Sequence, residues 1–271
     1  MKKIQGAVAV ITGAGGGVGR ALAEQIAARG GALALVDIQE SALQEVAQSV
    51  AAYGVEVSTH VADVSRHDDM HALAEAIAAR HDGRINLLVN NAGITYQKSF
   101  ATHSLEDWQR IVGINWWGVL HGCHFFLPLL RAAAARDEDA HIINMASMSA
   151  TTGLPNQSSY CATKSAVHLL SLSMWGELRA EGIGVTSVQP GAIRTDMIKA
   201  TLAQSDDLVA AERNYRLAQR IGVSAETVAK RIIKAFERDS LRIRIGTDAI
   251  AMDLLKRLVP VTLQKLLKSV A

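Results

Sequence analysis

Cysteine is almost absent from this chain of 271 residues, which contains only Cys123 and Cys161. Two thiols form neither a disulfide framework nor a metal knuckle, and unpaired thiols suit a reducing compartment, so we expect a cytoplasmic protein. An excess of one charge is also lacking, because 28 basic and 26 acidic residues leave a formal net charge of +2. No block of lysine and arginine occurs, so we expect no nucleic-acid partner.

Long apolar runs are missing as well. No stretch reaches the roughly 18 apolar residues that a membrane span needs. Met1-Lys2-Lys3 and the apolar residues 7–11 imitate a secretory leader, but the run is short and passes directly into glycines, so we expect a buried strand there. Histidine pairs at 67/71 and 121/124 lack a third and a fourth ligand, so we expect no metal site.

Apolar residues, in contrast, make up 49% of the chain and occur in short runs between segments of helical period. The runs that indicate strands are 7–11, 32–36, 55–61, 85–89, 141–146, 184–189 and 241–245. Strands that alternate with helices predict an α/β fold with a single Rossmann-type, doubly wound parallel sheet of about seven strands and helices on both faces. We expect this fold to form a single domain over residues 1–247.

Two segments depart from the alternation. Residues 193–223 are irregular and of mixed charge, and they follow a strand end, so we predict a lid over the pocket. Residues 248–271 form an amphipathic tail in which apolar positions alternate with cations and Pro260 breaks the pattern. Such a tail packs on the domain, closes a subunit interface or lies on a membrane surface, and the sequence leaves these three interpretations open.

A glycine-rich turn joins the first strand to the first helical segment. It reads Thr12-Gly13-Ala14-Gly15-Gly16-Gly17-Val18-Gly19. Glycines let the backbone approach a pyrophosphate, and a helix N-terminus offers free N–H donors to the anion. Because a strand precedes the turn and a helix follows it, we predict a dinucleotide site rather than a flexible loop.

Asp37 ends the second predicted strand, 18 residues after Gly19. An acid at this point can accept hydrogen bonds from the adenosine ribose and would repel a 2′-phosphate. Ile38 rather than arginine follows, and Gly16 supplies no cation in the turn, so we expect NAD to be preferred over NADP. The alternative is that Asp37 only caps the next helix.

Tyr160 and Lys164 stand four residues apart at the start of a helical pattern, so they share one helix face. A nearby cation would lower the pKa of the phenol, which is about 10 when unperturbed, and allow Tyr160 to act as a general acid or base. Ser147 ends the fifth predicted strand and could offer its hydroxyl to the same oxygen. Asn115 lies inside the predicted helical stretch 104–135, where it either breaks the helix or is a buried amide with local partners.

Taken together, these residues resemble the short-chain dehydrogenase/reductase family over about residues 6–246. The matching residues are Thr12-Gly13-x-x-x-Gly17-x-Gly19, Asp63, Asn90-Asn91-Ala92-Gly93, Asn115, Ser147, Tyr160, Lys164, Pro190-Gly191 and Thr195. Ala146 and Met148 are a small departure from the family's pattern around Ser147. The resemblance implies hydride transfer between NAD(H) and a carbinol or carbonyl carbon.

The resemblance also implies a role for each residue. Tyr160 would be the acid/base, Lys164 would hold the nicotinamide ribose and lower the Tyr160 pKa, and Ser147 would bind the substrate oxygen. Asn115 would hold a water that links Lys164 to solvent. The expected cofactor contacts are Gly13, Gly15, Gly16, Gly17, Val18, Gly19, Asp37, Ile38, Asp63, Val64, Asn91, Ala92, Gly93, Tyr160, Lys164, Pro190, Gly191, Ile193 and Thr195. The expected substrate contacts are Ser147, Tyr160, Thr95, Tyr96, Met148, Leu154, Ile193 and Met197.

The substrate contacts are mostly apolar and include no cation, so we expect a moderately apolar alcohol or ketone as the small-molecule substrate, and a homo-oligomer as the assembly. A non-catalytic NAD-binding regulatory protein on the same fold is the alternative, although a binder needs no set of Asn115, Ser147, Tyr160 and Lys164. A sugar-nucleotide epimerase or dehydratase is a third interpretation, which would require a larger C-terminal substrate domain.

Overall fold

A computed structural model of the chain describes residues 1–197, 199, 202 and 205–268. Within this part of the chain, seven strands form one parallel sheet in the order β3-β2-β1-β4-β5-β6-β9. The strands are β1 (Val8–Thr12), β2 (Ala32–Asp37), β3 (Val57–Val61), β4 (Leu87–Asn90), β5 (Ala140–Met145), β6 (Ile183–Pro190) and β9 (Arg242–Ile245); a separate short pair is β7 (Ile193–Arg194) and β8 (Val223–Ser224). The predicted doubly wound parallel sheet is confirmed.

The third and fourth strands each begin two residues later than their apolar runs predict. Pairing with neighbouring strands begins at Val57 and at Leu87. Asn86, immediately before β4, contacts Val8 through both its backbone and its side chain: its N–H donates to the Val8 carbonyl and its Oδ1 accepts the Val8 N–H, each at 2.9 Å.

Helices cover both faces of the sheet. They are α1 (Gly17–Ala27), α2 (Glu40–Val50), α3 (His67–Arg80), α4 (Leu105–Val112), α5 (Gly118–Ala134), α6 (Ser158–Leu178), α7 (Leu208–Ile221), α8 (Ala225–Glu237), α9 (Thr247–Leu258) and α10 (Pro260–Leu267). Side chains of a strand point alternately to opposite faces, so Ile11 joins a core with α1, α2 and α8, whereas Val10 joins a core with α3, α5 and α6. Both faces are apolar, as expected of a parallel sheet.

The long helical stretch predicted at 104–135 is broken around Asn115. Residues Gly113–Trp117 form a π-helical turn between α4 and α5. Asn115 is fully buried within this turn. The predicted break therefore exists, and π-helical turns are common at functional sites.

The predicted lid at 193–223 is more regular than its sequence indicated. Its two ends pair with each other as β7 and β8, and α7 lies between them. Positions 198, 200, 201, 203 and 204 of this segment lie outside the described residues. A role as a lid stays a prediction.

The tail forms two helices, α9 and α10, and Pro260 begins the second one, as predicted. Leu263 and Leu267 are buried, and Gln264 donates a hydrogen bond to the Gly153 carbonyl at 2.9 Å. One face of the tail thus packs on the domain; residues 269–271 lie outside the described part. No helix in the described ranges combines the length and apolarity needed to cross a bilayer.

Candidate active site

The residues predicted to bind and react gather at one edge of the sheet. The glycine turn follows β1, Asp37 ends β2, Asp63 follows β3, and Ser147 follows β5. The carboxyl ends of parallel strands form the ligand-binding edge of such sheets. The fold therefore brings together residues that lie more than 100 positions apart in the chain.

The glycine turn is tightly packed on one side and open on the other. Gly13 has a φ of 63°, and a Cβ there would lie 2.9 Å from the Ala92 Cα. A Cβ on Gly19 would lie only 2.1 Å from the Gly13 carbonyl oxygen, whereas one on Gly16 would meet nothing within 4 Å. Side chains are excluded where the turn packs, and space is left where a ligand would lie.

The N-terminus of α1 fits an anion. Gly16 is its N-cap residue and provides no side-chain hydrogen bond, and the first turn has no acidic residue. The first N–H groups of the helix and its positive dipole end therefore face the open side of the turn. A Cβ on Gly17 would lie 3.3 Å from Thr195 Cγ2, so Thr195, an expected cofactor contact, lies across the turn. These features fit the pyrophosphate and nicotinamide ends of a dinucleotide.

Asp37 has a structural partner in the glycine turn. Its Oδ2 accepts the Gly15 N–H at 2.9 Å, and its Oδ1 accepts the Gln39 N–H at 3.1 Å. The N-cap residue of α2 is Gln39, so Asp37 is not the cap of that helix. Its carboxylate links the end of β2 to the glycine turn, and the neighbouring Ile38 side chain is 62% exposed.

Asp63 and Val64, two of the expected cofactor contacts, lie in a turn that is held by local hydrogen bonds. Asp63 Oδ1 accepts bonds from the Ser65 N–H and hydroxyl at 2.9 and 2.7 Å. The Val64 carbonyl lies 3.0 Å from His121 Nδ1 on α5. Both residues are thus positioned by the protein before any ligand contact is considered.

The Asn90-Asn91-Ala92-Gly93 turn is fastened to the glycine turn. Asn91 Nδ2 donates to the carbonyls of Thr12 and Gly13, each at 3.0 Å. The Thr12 hydroxyl accepts the N–H groups of Asn91 and Ala92 at 3.0 and 3.1 Å. Thr12 thus holds the two turns together; the expected contacts omitted it, although it stands at the head of the glycine motif.

Lys164 lies at the centre of the site and is 3% exposed. Its Nζ donates to the Met145 carbonyl at 2.8 Å and lies 5.7 Å from the centroid of the Tyr160 ring. A Cβ on Gly93 would lie 3.3 Å from this Nζ and 3.1 Å from Asn115 Oδ1. The lysine, the tyrosine and Asn115 therefore converge next to the turn after β4.

The pKa values of the pair differ from the prediction. Burial lowers the pKa of Lys164 to about 8. Burial also raises the pKa of Tyr160, and the hydrogen bond with Ser147 opposes that rise. The predicted lowering of the Tyr160 pKa is therefore wrong for the protein alone, because loss of hydration disfavours the phenolate more than its neighbours favour it.

Asn115 satisfies its amide with neighbours across the π-helical turn. Its Oδ1 accepts the Ile94 N–H at 2.8 Å, and its Nδ2 donates to the Ile94 carbonyl at 2.9 Å. The same Nδ2 lies 3.3 Å from the Thr163 hydroxyl, which donates to the Tyr160 carbonyl at 3.0 Å. The break and the satisfied amide, posed as alternatives above, are both present.

Ser147 caps the short 3₁₀ turn Met148–Ala150. Its Oγ accepts the Ser149 N–H at 3.2 Å, and the side chain is buried. The hydrogen bond with Tyr160 brings the two hydroxyls together. They form a pair that could contact one substrate oxygen.

The expected substrate contacts differ in accessibility. Met148 and Leu154 are half-buried and Met197 is exposed. Thr95 and Tyr96 are buried instead, and the Tyr96 ring packs edge-on against His103 at 5.2 Å. Ser147 and Lys164 are similarly buried, so contact of Thr95 and Tyr96 with the substrate stays a prediction.

Sequence reasoning missed a polar cavity of about 500 Å³ near the loop that carries Leu154. The cavity is lined by Gln97, Ser99, Thr102, Pro155, Asn156, Gln157, Ser205, Asp206, Asp207, Arg213 and Asn214. Asp206 Oδ2 accepts bonds from the Ser99 N–H and the Thr102 hydroxyl, which joins the segment after β4 to the predicted lid. No local sequence pattern predicts this cavity, because three separate segments of the chain form it.

A buried polar chain lies beneath the site. Asn90 Nδ2 donates to Asn144 Oδ1 at 2.8 Å, and Asn144 Nδ2 donates to the Ser171 hydroxyl at 3.0 Å. It connects the ends of β4 and β5 to α6. A signal for it existed in the sequence, because Asn144 interrupts the apolar end of a buried strand.

Asp248 positions the residues after β6. Its Oδ2 accepts the Ala192 N–H at 2.7 Å, and its Oδ1 accepts the Ala249 N–H at 2.9 Å. A Cβ on Gly191 would lie 2.1 Å from this carboxylate. Asp248 thus holds the segment that leads to Ile193 and Thr195, and nothing near it in sequence indicates that contact.

Comparisons with known proteins agree with this geometry. The sequence model described as short chain dehydrogenase matches residues 7–206. A protein of Mycobacterium tuberculosis with the provisional name oxidoreductase SadH is 34% identical over 271 residues, which cover 98% of this chain and 95% of that protein.

Two solved structures share the whole architecture. A short-chain dehydrogenase/reductase from Burkholderia phymatum in complex with NAD superposes with a TM-score of 0.87 at 32% identity, covering 97% of both chains. Levodione reductase gives a TM-score of 0.80 at 30% identity, covering 93% of this chain and 100% of that one. The chain is therefore an oxidoreductase of the short-chain dehydrogenase/reductase family.

Proposed function

We propose that this chain transfers a hydride between NAD(H) and the carbinol or carbonyl carbon of a moderately apolar alcohol or ketone, with Tyr160 as the acid/base. The observation that carries the proposal is the convergence of Tyr160, Lys164, Ser147 and Asn115 beside an open glycine turn. When bound at that turn, NAD(H) would supply the hydride donor or acceptor.

Tyr160 moves the proton of the reaction. In the reductive direction its hydroxyl donates a proton to the carbonyl oxygen as the hydride adds to the carbon, and in the oxidative direction the phenolate takes the proton back from the alcohol. Ser147, paired with Tyr160, donates a hydrogen bond to the same oxygen and holds it in place.

Lys164 acts through its charge and its proton. The ammonium near the Tyr160 ring stabilises the phenolate that remains after proton donation. Its pKa of about 8 makes the ammonium a better proton donor than an ordinary lysine, so it is suited to return a proton to the phenolate. Asn115 holds the segment after β4 in place through its two hydrogen bonds to the Ile94 backbone.

The test of catalysis is Tyr160→Phe in the full chain, compared with Tyr53→Phe on the surface. We expect Tyr160→Phe to keep its affinity for NAD, because most of the expected cofactor contacts are made by other residues. Its turnover should fall by about 10²- to 10⁴-fold, because the substitution removes the acid/base group. Tyr53→Phe should match the wild type. Near-normal turnover in Tyr160→Phe would overturn the assigned role. NAD binding by the wild type with no turnover on any alcohol or ketone would favour the non-catalytic NAD-binding alternative.

The cofactor preference is proposed from Asp37 and Ile38. A carboxylate that is already held at the glycine turn by Gly15 meets the ribose hydroxyls and repels a 2′-phosphate, and Ile38 supplies no cation. The related Burkholderia phymatum protein, which was crystallised with NAD, supports the choice. Catalytic efficiency should be at least about tenfold higher with NAD than with NADP. Equal efficiencies would reject the role of Asp37, and Asp37→Ser should narrow the difference.

The substrate class rests on two half-buried apolar residues: Met148, which follows Ser147 in the chain, and Leu154, whose N–H donates to the Sγ of Cys161, the residue after Tyr160. Apolar side chains around a reacting oxygen favour an apolar body on the substrate. A panel of apolar ketones and small charged hydroxy acids tests this proposal. A preference for the charged acids would contradict it and would point to Arg213 in the neighbouring polar cavity as their partner.

A further inference from the structure

The tail exposes a set of aliphatic side chains that the domain does not cover. We refer to it as the tail patch, and its members are Ile250, Leu254, Leu255, Leu258, Val259, Val261 and Leu266. Each of these side chains is between 41% and 68% exposed. Isolated exposed aliphatic residues are ordinary, but a contiguous group on two consecutive helices indicates an interaction surface.

The patch lies on a different side of the tail helices from the face by which the tail packs. On α9, Ala249 and Asp253 are buried, whereas Ile250, Leu254 and Leu258 repeat every four residues along a neighbouring side of the helix. At about 3.6 residues per turn, the exposed set is rotated by about a third of a turn from the buried set. On α10, Leu263 and Leu267 are buried, and Val261 and Leu266 are exposed. The tail is thus bound on one face and apolar on another.

The charge around the patch has one sign. Residues 249–268 carry the cations Lys256, Arg257, Lys265 and Lys268, and Asp253 is their one acidic residue. Asp253 is 5% exposed and is paired with Arg242, Arg244 and Arg257. This part of the chain therefore presents aliphatic side chains and cations to solvent and no exposed carboxylate.

We propose that the tail patch docks the protein on an anionic lipid surface. Aliphatic side chains enter the boundary of the acyl chains while flanking cations meet the anionic headgroups, which is the chemistry of an interfacial helix. A second copy of the chain is the poorer occupant, because a two-fold contact would place the patch and its cations against themselves.

Docking would also bring the candidate active site close to the lipid. The packed face of α10 holds the loop before α6 through the bond from Gln264 to the Gly153 carbonyl. The lipid-facing side of α10 is one helix diameter away, about 10–12 Å. Leu154 follows Gly153 directly, so an apolar substrate dissolved in the lipid would reach the site over a short path.

The test is co-sedimentation of the full chain with vesicles of equimolar phosphatidylglycerol and phosphatidylcholine, and with vesicles of phosphatidylcholine alone. We expect partition to be about tenfold higher with the anionic vesicles and to fall at high salt. Leu254→Gln with Leu258→Gln should reduce the partition about tenfold, because the double substitution removes two of the exposed aliphatic side chains that would enter the lipid. Val61→Gln with Leu105→Gln, two equally exposed aliphatic residues elsewhere, is the matched control and should bind as the wild type does.

Several outcomes would overturn the proposal. They are no sedimentation of the wild type with anionic vesicles, equal sedimentation with both lipids, or an equal loss in the control. A smaller molecular mass of the Leu254→Gln, Leu258→Gln variant by light scattering, without any vesicle binding of the wild type, would make the patch a subunit interface instead. Lys256→Gln with Lys265→Gln is an independent test and should lower the partition to anionic vesicles. These exposed or half-buried cations can be changed without loss of core packing.

Discussion

Gly122 on α5 provides a sharp test of the packing beneath the active site. A Cβ at this position would lie 2.1 Å from Asn90 Oδ1, and real Cβ contacts below 3.0 Å are essentially never seen. In Gly122→Ala, Asn90 must therefore move by about 1 Å or rotate away, since packed interiors leave no free space. Movement on that scale breaks its bonds to Asn144 Oδ1 and Cys123 Sγ.

The magnitude follows from three contributions. Overpacking costs about 1–3 kcal/mol, and leaving Asn144 Oδ1 with its main partner lost costs about 1–3 kcal/mol. Alanine in place of glycine inside a helix returns about 1 kcal/mol. The net expectation is a loss of about 1–5 kcal/mol in the free energy of unfolding, or roughly 2 °C in Tm for each kcal/mol in a chain of this size.

Gly176 on α6 is the matched control. A Cβ there would meet nothing within 4 Å, so Gly176→Ala keeps only the helix-propensity gain and should stabilise the protein by about 1 kcal/mol. Urea unfolding of both variants with unchanged m values measures the difference. The reasoning is refuted if Gly122→Ala is as stable as the wild type, or if the two variants shift in the same direction.

Three further predictions concern buried charge and the segment after β6. Burial lowers the pKa of Lys164 from 10.5 to about 8, so the unfolded chain binds more protons than the folded chain between pH 8 and 10.5. Over that range the free energy of unfolding of the wild type should rise by about 3 kcal/mol relative to that of inactive Lys164→Met. Parallel profiles of unfolding free energy against pH for the two proteins would contradict this. Burial lowers the pKa of His141 from 6.5 to about 4, so the unfolded chain binds more protons between these pH values. As pH falls from 6.5 to 4, the free energy of unfolding of the wild type should fall by about 3 kcal/mol more than that of His141→Gln. An equal loss of stability in the two proteins, measured by thermal unfolding, would reject the lowered pKa of His141. Asp248→Ala removes the acceptor of the Ala192 and Ala249 N–H groups and should lower the free energy of unfolding in urea by about 1.5–3 kcal/mol. Asp248→Asn should have a stability between that of Asp248→Ala and that of the wild type. Equal stability of the two variants would argue against a structural role of the Asp248 carboxylate.

Much of the fold could be predicted from sequence because its signals are local. A parallel sheet needs buried apolar runs, and each of the seven predicted runs became a strand of the sheet. Errors were confined to ends, as at Val57 and Leu87, where pairing with neighbours decides the first residue. The predicted break near Asn115 was also correct, since its amide competes with the helix backbone wherever partners exist.

The closeness of Tyr160 and Lys164 could be predicted from the sequence, but their electrostatics could not. Spacing four residues apart placed Tyr160 and Lys164 on one helix face, and the ring and the ammonium are indeed close. The direction of the Tyr160 pKa was wrong because it depends on how much water the surrounding loops exclude. The burial of Tyr96 could not be predicted either, since it depends on a tertiary contact with the His103 ring.

The sequence by itself determined the order of strands and helices, the glycine turn and the pairing of Tyr160 with Lys164, because these depend on residues a few positions apart. Only the tertiary structure decided what distant segments do to one another: Asp248 holding the chain at Ala192, Asn90 pairing with Asn144, and α10 packing on the loop at Gly153. The physical reason is that hydrogen-bond partners and exclusion of water arise from packing, and packing joins residues whose separation along the chain carries no signal.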